Sequence, residues 1–312
     1  MTSQSSVLIS IVGPTAVGKT SFAINLASQL QTEIISVDSR QFYKEMEIGT
    51  AKPSKEELEQ VNHHFINSQS IHEDYSVGKF EEESKALLKS LFKKYQVIVA
   101  VGGAGLFFKS LWHGLDEMPD IDLSQRIALN DQLASSGLAP LLEELRQKDE
   151  KYFDVVDKQN HQRVIRALEV IRSTNKPFSD FRKSKPEKPV FYQNIKIGLH
   201  LEREILFNRI DERMDKMILS GLFDEAKRLY PFRKHNALQT VGYKEIFDFI
   251  DGKYDFEEAV RLLKRNSRRY AKRQQTWFKK ESDIRWVEPH QISETLNFIK
   301  EWLDAHHMNQ AH

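Results

Sequence analysis

Between residues 7 and 20 the chain commits to one kind of fold. The apolar run Val7–Val12 has the length of a buried strand, and Gly13-Pro14-Thr15-Ala16-Val17-Gly18-Lys19-Thr20 follows directly. The octet fits G-x-x-x-x-G-K-[ST] at every position, and Phe22, Ala23, Leu26, Ala27 and Leu30 then recur at helical spacing. Strand, glycine loop and helix in that order make a phosphate cradle. Glycines turn backbone N–H groups inward, the helix N-terminus adds positive dipole, Lys19 adds a full charge, and Thr20 offers a hydroxyl to Mg²⁺. The loop predicts a di- or triphosphate ligand, ordinarily a nucleotide such as ATP, and does not say what is done to it.

The alternation continues for about a hundred residues. Glu33–Val37 and Val97–Val101 read as strands, and Ser21–Leu30 and Phe80–Lys94 as helices. That order implies a parallel sheet with its ligand at the carboxyl ends of the strands. From about Asp116 the pattern turns helical and charged, closing in the Pro- and Lys-rich stretch Lys183–Pro189. Ile195–Leu201 reads as a returning core strand, followed by helices over Glu204–Ser220, Gly221–Leu229 and Phe256–Lys280. The predicted class is α/β: a P-loop NTPase-like parallel sheet flanked by helices, with an α-helical insertion. The core is expected over residues 1–115 and 190–312, and the insertion over 116–189. A chain of 312 residues is long enough for both.

Asp38-Ser39-Arg40-Gln41-Phe42-Tyr43 follows the second strand, so a carboxylate should sit beside the phosphate loop's ligand. There it can take a proton from a nucleophile. Asp-Ser is also a common helix start, and position alone leaves a general base and an N-cap equally open. Val97–Val101 runs into Gly102-Gly103-Ala104-Gly105, either a close approach to a ligand or a plain tight turn. It lacks the strand-end Asp with which nucleotide-hydrolysing motors hold Mg²⁺, which counts against an ATPase or GTPase.

Arg261, Lys264, Arg265, Arg268, Arg269, Lys272 and Arg273 fill one half of a helix circumference, and no acidic residue lies between Ala259 and Lys280. On a protein of net charge +1 this single-sign stripe favours a polyanion over a merely solvated face. In the insertion Arg163 and Arg166 form an i, i+3 pair beside Gln162, interleaved with Val164 and Ile165; Arg209 and Arg213 form an i, i+4 pair later in the chain. His63-His64 are adjacent on an extended segment, face opposite ways, and are expected to be structural instead of chelating a metal. With no cysteine, disulfides, thiol catalysis and Cys-ligated zinc are excluded. No apolar run approaches the ~18 residues of a membrane span, and Met1–Ser6 lacks the basic start of a signal peptide, so a cytoplasmic protein is expected.

Taken together, these segments resemble the tRNA dimethylallyltransferases (tRNA isopentenyltransferases) from Ile9 to about Lys280. The resemblance rests on Gly13–Thr20, Asp38–Tyr43, Ile48-Gly-Thr-Ala-Lys-Pro53, His63-His64, Tyr75-Ser-Val-Gly-Lys-Phe80, Gly102–Gly105, Arg166-Ala-Leu-Glu-Val170 and Gln239-Thr-Val-Gly-Tyr-Lys244, in family order. It implies transfer of the dimethylallyl group of dimethylallyl diphosphate to N6 of adenosine 37, beside the anticodon of tRNA. It puts the diphosphate on Gly13–Thr20, with Lys19 on phosphate oxygens, Mg²⁺ near Thr20, and Arg209, with Arg213 as a substitute, neutralising the leaving group. Asp38 falls on the general base. Asp38, Ser39, Arg40 and Gln41, and Gln162, Arg163, Val164, Ile165 and Arg166, fall on the tRNA-holding segments. Ala104, Arg126, Lys244 and, from the stripe, Arg265, Arg268 and Arg269 complete the expected tRNA contacts. The glycine turn departs from the usual Gly-Gly-Thr/Ser-Gly-Leu-Tyr at Ala104 and Phe107. The expected partners are the anticodon stem-loop and dimethylallyl diphosphate, with the chain acting as a monomer away from membranes.

Overall fold

The computed structural model describes residues 6–116, 118–119, 121–182 and 190–308, except the side chains at 123, 307 and 308. The Lys183–Pro189 stretch and Met1–Ser5 lie outside the described residues. The chain divides into two compact units, one of residues 1–113 with 189–312 and one of residues 114–188.

In the larger unit the elements run β1 (Val7–Val12), α1 (Lys19–Gln29), β2 (Ile34–Val37), α2 (Lys55–Gln60), β3 (His63–His64), α3 (Val77–Leu91), β4 (Val97–Gly102) and α4 (Gly105–His113). The smaller unit holds α5 (Leu123–Ser136), α6 (Ala139–Lys148), α7 (Glu150–Val155), α8 (His161–Thr174) and α9 (Phe178–Phe181). The larger unit resumes with β5 (Gln193–Leu199), α10 (Arg203–Leu219), α11 (Leu222–Leu229), α12 (Tyr243–Ile250), α13 (Phe256–Phe278), β6 (Arg285–Val287) and α14 (Ile292–Met308). Among the described residues no helix is long and apolar enough to cross a membrane.

The six strands form one all-parallel sheet in the order β3-β2-β4-β1-β5-β6. Helices cover both faces, which is why β1 and β4 are buried at every position and read as apolar runs, interrupted only by Ser10 in β1, whose hydroxyl accepts the Trp112 indole N–H. Val7, Ile9 and Ile11 face a core with Phe22, Leu26, Ile210 and Ile299, while Leu8 and Val12 face Phe80, Phe108, Trp112 and Phe278. The two-residue β3 and three-residue β6 extend the edges, each too short to show a period. At β3 the histidines serve the sheet edge: His64 Nε2 lies 2.5 Å from Glu33 Oε2, and His63 Nδ1 lies 2.7 Å from the Val61 carbonyl.

A third apolar cluster joins Met46, Leu222, Leu238, Tyr243 and Leu263 beside the sheet. Its polar pin is Glu225, only 3% exposed, whose carboxylate accepts the N–H groups of Glu47, Ile48 and Gly49 at 2.8–3.0 Å and the Tyr243 hydroxyl at 2.6 Å. A charged acceptor thereby stabilises the start of the 3₁₀ turn Ile48–Thr50 and binds it to α11 and α12. Gly49 has to be glycine, because a Cβ there would sit 2.5 Å from the Tyr243 ring. The smaller unit has its own core of Leu129, Leu141, Leu145, Val164, Ile165, Leu168 and Phe178. Replacing Glu225 by Ala strands three backbone donors and a phenol, and should lower unfolding free energy by about 2 kcal/mol or more. A denaturant titration reads this directly, and a loss below about 0.5 kcal/mol would contradict the pin.

Candidate active site

Three strand ends meet at the top of the sheet. β1 delivers the glycine loop, β2 delivers Asp38 and β4 delivers Gly102–Gly105, with Val37 paired to Gly102 in register. Above them lies a cavity of about 310 Å³. Thr15, Ala16, Gly18, Lys19 and Thr20 line it from the loop, Asp38, Arg40 and Gln41 from the turn, and Arg213, Tyr270 and Gln274 from α10 and α13. Ile210, Met214, Met217, Leu222 and Val241 give it an apolar wall.

The loop has the backbone its motif requires. Gly18 (φ 104°) is the N-cap of α1 and Ala16 holds φ 62°, so successive N–H groups turn inward. A Cβ on Gly13 would lie 2.6 Å from the Leu199 carbonyl, so this glycine lets β1 pass β5. Val17 is buried in the core and anchors the loop from beneath. Lys19 Nζ donates to the Pro14 carbonyl at 2.7 Å. Burial pushes the Lys19 ammonium down to about 7; the Asp38 charge opposes the fall and Arg213 adds to it. Burial likewise lowers the Arg213 pKa, again against Asp38. Arg209 is exposed on α10, its guanidinium 4.0 Å from where a Gly18 Cβ would stand. Of the two candidates, then, Arg213 lines the cavity and Arg209 flanks the loop from outside.

Asp38 caps no helix. Residues 39–42 form turns, and Asp38 Oδ1 accepts the Arg40 N–H at 3.0 Å, a local turn closed by an Asp side chain. Among the described residues Oδ2 takes no hydrogen bond, so one carboxylate oxygen stays available at the cavity wall. Ser39 occupies the same turn. Arg40 spends one guanidinium nitrogen on the carbonyls of Asn236 and Ala237, at 3.2 and 3.0 Å. Gln41 is spoken for as well: its Nε2 donates to the Thr50 and Ala51 carbonyls and its Oε1 accepts from Ser36. Both side chains bind the turn to neighbouring loops.

The glycine turn is explained by close packing. A Cβ at Gly102 would lie 2.0 Å from the Val37 carbonyl oxygen, at Gly103 2.1 Å from Gln274 Nε2, and at Gly105 2.3 Å from the Trp277 ring. Ala104 donates its N–H to Val37, and Phe107 packs on Phe42 and Phe80 with ring centroids 5.5 and 5.1 Å apart. Gln274, 7% exposed, ties turn and loop together: its Oε1 accepts the Thr15 N–H at 2.8 Å and its Nε2 donates to the Gly103 carbonyl at 3.1 Å. No spacing rule marks such a residue, and sequence reasoning missed it. It also missed the cavity role of Thr240–Gly242, although that segment lay inside a quoted motif.

The basic stripe on α13 needs correction. Its counter-charges come mostly from another helix. Asp211 on α10 takes Arg268 through both oxygens, at 2.5 and 2.6 Å, and Asp215 takes Lys264 at 2.6 Å. Glu258 takes Arg261, and Arg265 Nε donates to Asn266. Arg269, Lys272 and Arg273 remain exposed without a carboxylate partner among the described residues. Lys244 is exposed on α12. In the smaller unit Val164 and Ile165 are buried core residues, so their side chains are not a surface for tRNA. Gln162 and Arg163 are exposed, and Arg126 and Arg166 converge on the buried Glu169 at 3.0 and 3.5 Å.

A sequence profile of the IPP transferase family matches residues 41–281. The chain belongs to that family. As an IPP transferase it is 49% identical over 294 residues to the tRNA dimethylallyltransferase of Cytophaga hutchinsonii, covering 94% of this chain and 96% of the relative. It is 50% identical over 286 residues to that of Christiangramia forsetii, covering 91% and 94%. Its fold superposes on the full-length tRNA isopentenylpyrophosphate transferase of Bacillus halodurans with a TM-score of 0.73 at 38% identity, covering 98% of this chain and 99% of the other. A eukaryotic dimethylallyltransferase acting on tRNA matches with a TM-score of 0.77 at 26% identity, covering 91% and 74%.

Because desolvation pushes the half-buried Lys19 ammonium down to about 7, an arriving polyphosphate should restore its proton. Between about pH 7 and the ordinary lysine range, binding of inorganic pyrophosphate should take up close to one proton, and affinity should fall as pH rises. Calorimetry at pH 8.5 in two buffers of different ionisation enthalpy measures the uptake. It should vanish in Lys19→Met, and uptake that persists in this variant would contradict the assignment.

Proposed function

We propose that this IPP transferase moves the dimethylallyl group of dimethylallyl diphosphate to N6 of adenosine 37 in tRNA and releases diphosphate. The observation that carries the reading is one cavity with a desolvated cationic cradle and, beside it, a carboxylate with a free oxygen. The diphosphate lies on the loop N–H groups of Ala16–Thr20, Lys19 and Arg213, with Arg209 closing on it from outside, while the Thr15 N–H is held by Gln274. The five-carbon group lies against Ile210, Met214, Met217 and Leu222.

As the carbon–oxygen bond of the donor breaks, its electron pair stays on the diphosphate oxygen. Fixed N–H dipoles and two cations in a poorly solvated site stabilise that growing charge more in the transition state than in the ground state. The adenine amino group attacks the freed carbon, and Asp38 Oδ2 takes the N6 proton as the new bond forms. The Arg40 N–H on Oδ1 leaves Oδ2 oriented for that task.

Mg²⁺ fits the donor set. Thr20 Oγ1 lines the cavity without a hydrogen-bond partner among the described residues, and no cluster of three carboxylates or histidines competes there. Magnesium ordinarily takes one or two protein oxygens plus phosphates and water. Thr20 would hold it, and the ion would supply further neutralisation of the diphosphate.

Reaching N6 requires the base to leave its stack, at a cost of a few kcal/mol, which phosphate contacts offset. Arg269, Lys272 and Arg273 on α13, Lys244 on α12, and Arg126, Gln162, Arg163 and Arg166 in the smaller unit supply those contacts along the anticodon stem-loop. The smaller unit serves as a tRNA-gripping insertion. In this reading the protein works in the cytoplasm as a monomer.

Asp38→Ala should cut kcat by about 10² or more while leaving the Kd for tRNA within twofold. Single-turnover transfer and filter binding on the same preparation separate the two. A parallel loss in both quantities contradicts a base at Asp38.

A further inference from the structure

Tyr270 has no part in the chemistry derived above, yet its placement gives it one. It stands on α13 at the cavity wall beside Gln274. The Gln274 amide is fixed at two points, with Oε1 accepting the Thr15 N–H and Nε2 donating to the Gly103 carbonyl, and it lies beside the Tyr270 phenol. The phenol has a single proton to give. No protein acceptor among the described residues takes that proton. Burial and the Asp38 charge raise the Tyr270 pKa to about 12, so the group stays a donor throughout the working pH range. Arg273 packs over the ring with its guanidinium carbon 5.6 Å from the centroid, which limits the ring's freedom to swing outward.

The cavity therefore offers an acceptor, Asp38 Oδ2, and a donor, the Tyr270 hydroxyl. Adenine presents the complement, an amino donor flanked by ring-nitrogen acceptors, whereas the Watson–Crick edge of guanine presents O6 as an acceptor beside an N1–H donor. Resting on the proposed function, we infer that Tyr270 donates a hydrogen bond to the adenine ring nitrogen flanking N6. Asp38 and Tyr270 together then hold one edge of the base and aim its amino group at the donor carbon. Gln274, one turn along α13 from Tyr270, ties this stretch of the helix to the diphosphate loop through Thr15.

The test compares wild type and Tyr270→Phe on three tRNAs carrying adenosine, 1-deazaadenosine or 7-deazaadenosine at position 37. On adenosine, Tyr270→Phe should lower kcat/KM about tenfold, with dimethylallyl diphosphate affinity and Tm unchanged. On the deaza substrate that lacks the contacted nitrogen, wild type and variant should react at the same rate, while the other deaza substrate keeps the tenfold gap. Equal losses on all three tRNAs, or no loss on adenosine, overturn the inference alone. Absence of wild-type transfer to adenosine 37 overturns the proposed function and takes this inference with it.

Discussion

Lys19 and Arg213 share one cavity with Asp38, and both are held away from water strongly enough to lower their pKa values. Burying a cation is costly unless a partner repays it, and two cations against one carboxylate leave the site short of negative charge. A polyphosphate supplies what is missing. Lys19 meanwhile rests on the Pro14 carbonyl, and the Asp38 side chain closes its own turn. The rest of the larger unit keeps this arrangement in place. Continuous apolar strands bring three loops to one edge, and the glycines at 102, 103 and 105 let those loops and α13 approach within contact distance.

The helix α13 joins the diphosphate end of the site to the surface. Its buried line of Leu263, Ser267, Ala271, Gln274 and Phe278 faces the sheet and the cavity. Gln274 fixes the loop, and the exposed residues Arg269, Lys272 and Arg273 project away from that line. Salt bridges to Asp211 and Asp215 on α10 hold the helix in register and leave those three cations without a carboxylate among the described residues, Arg273 lying over the Tyr270 ring. A helix that read as one uniform basic face thus has three kinds of position, packed, paired and free, and the free positions are available for phosphate.

What the sequence made legible follows from the range of the forces involved. The loop, β1, β2 and β4 were readable because continuous burial leaves a nearly unbroken apolar run, β5 because its buried Ile195, Ile197 and Leu199 recur at every second position, and a phosphate cradle is a local backbone device. Strands of two and three residues carry no period, so β3 and β6 were invisible. The stripe misled because Asp211 lies 57 residues from Arg268, and such pairing leaves no local trace. Val164 and Ile165 sit in a segment whose neighbours are exposed and cationic, but helical geometry turns these two into the core. Asp38 was correctly placed at a strand end, and only the fold could show that it caps a turn of its own instead of a helix. Glu225 and Gln274 act over long sequence separations through side-chain hydrogen bonds, which no composition or spacing announces.

The central claim is that this anion cradle serves a prenyl diphosphate whose acceptor is an adenine in tRNA. The most direct measurement incubates the protein with labelled dimethylallyl diphosphate and, in parallel, with undermodified tRNA, with the same tRNA carrying guanosine at position 37, and with AMP. Label should enter the first tRNA alone, as N6-(dimethylallyl)adenosine at position 37. Label in AMP, or in the guanosine-37 tRNA, would contradict the account.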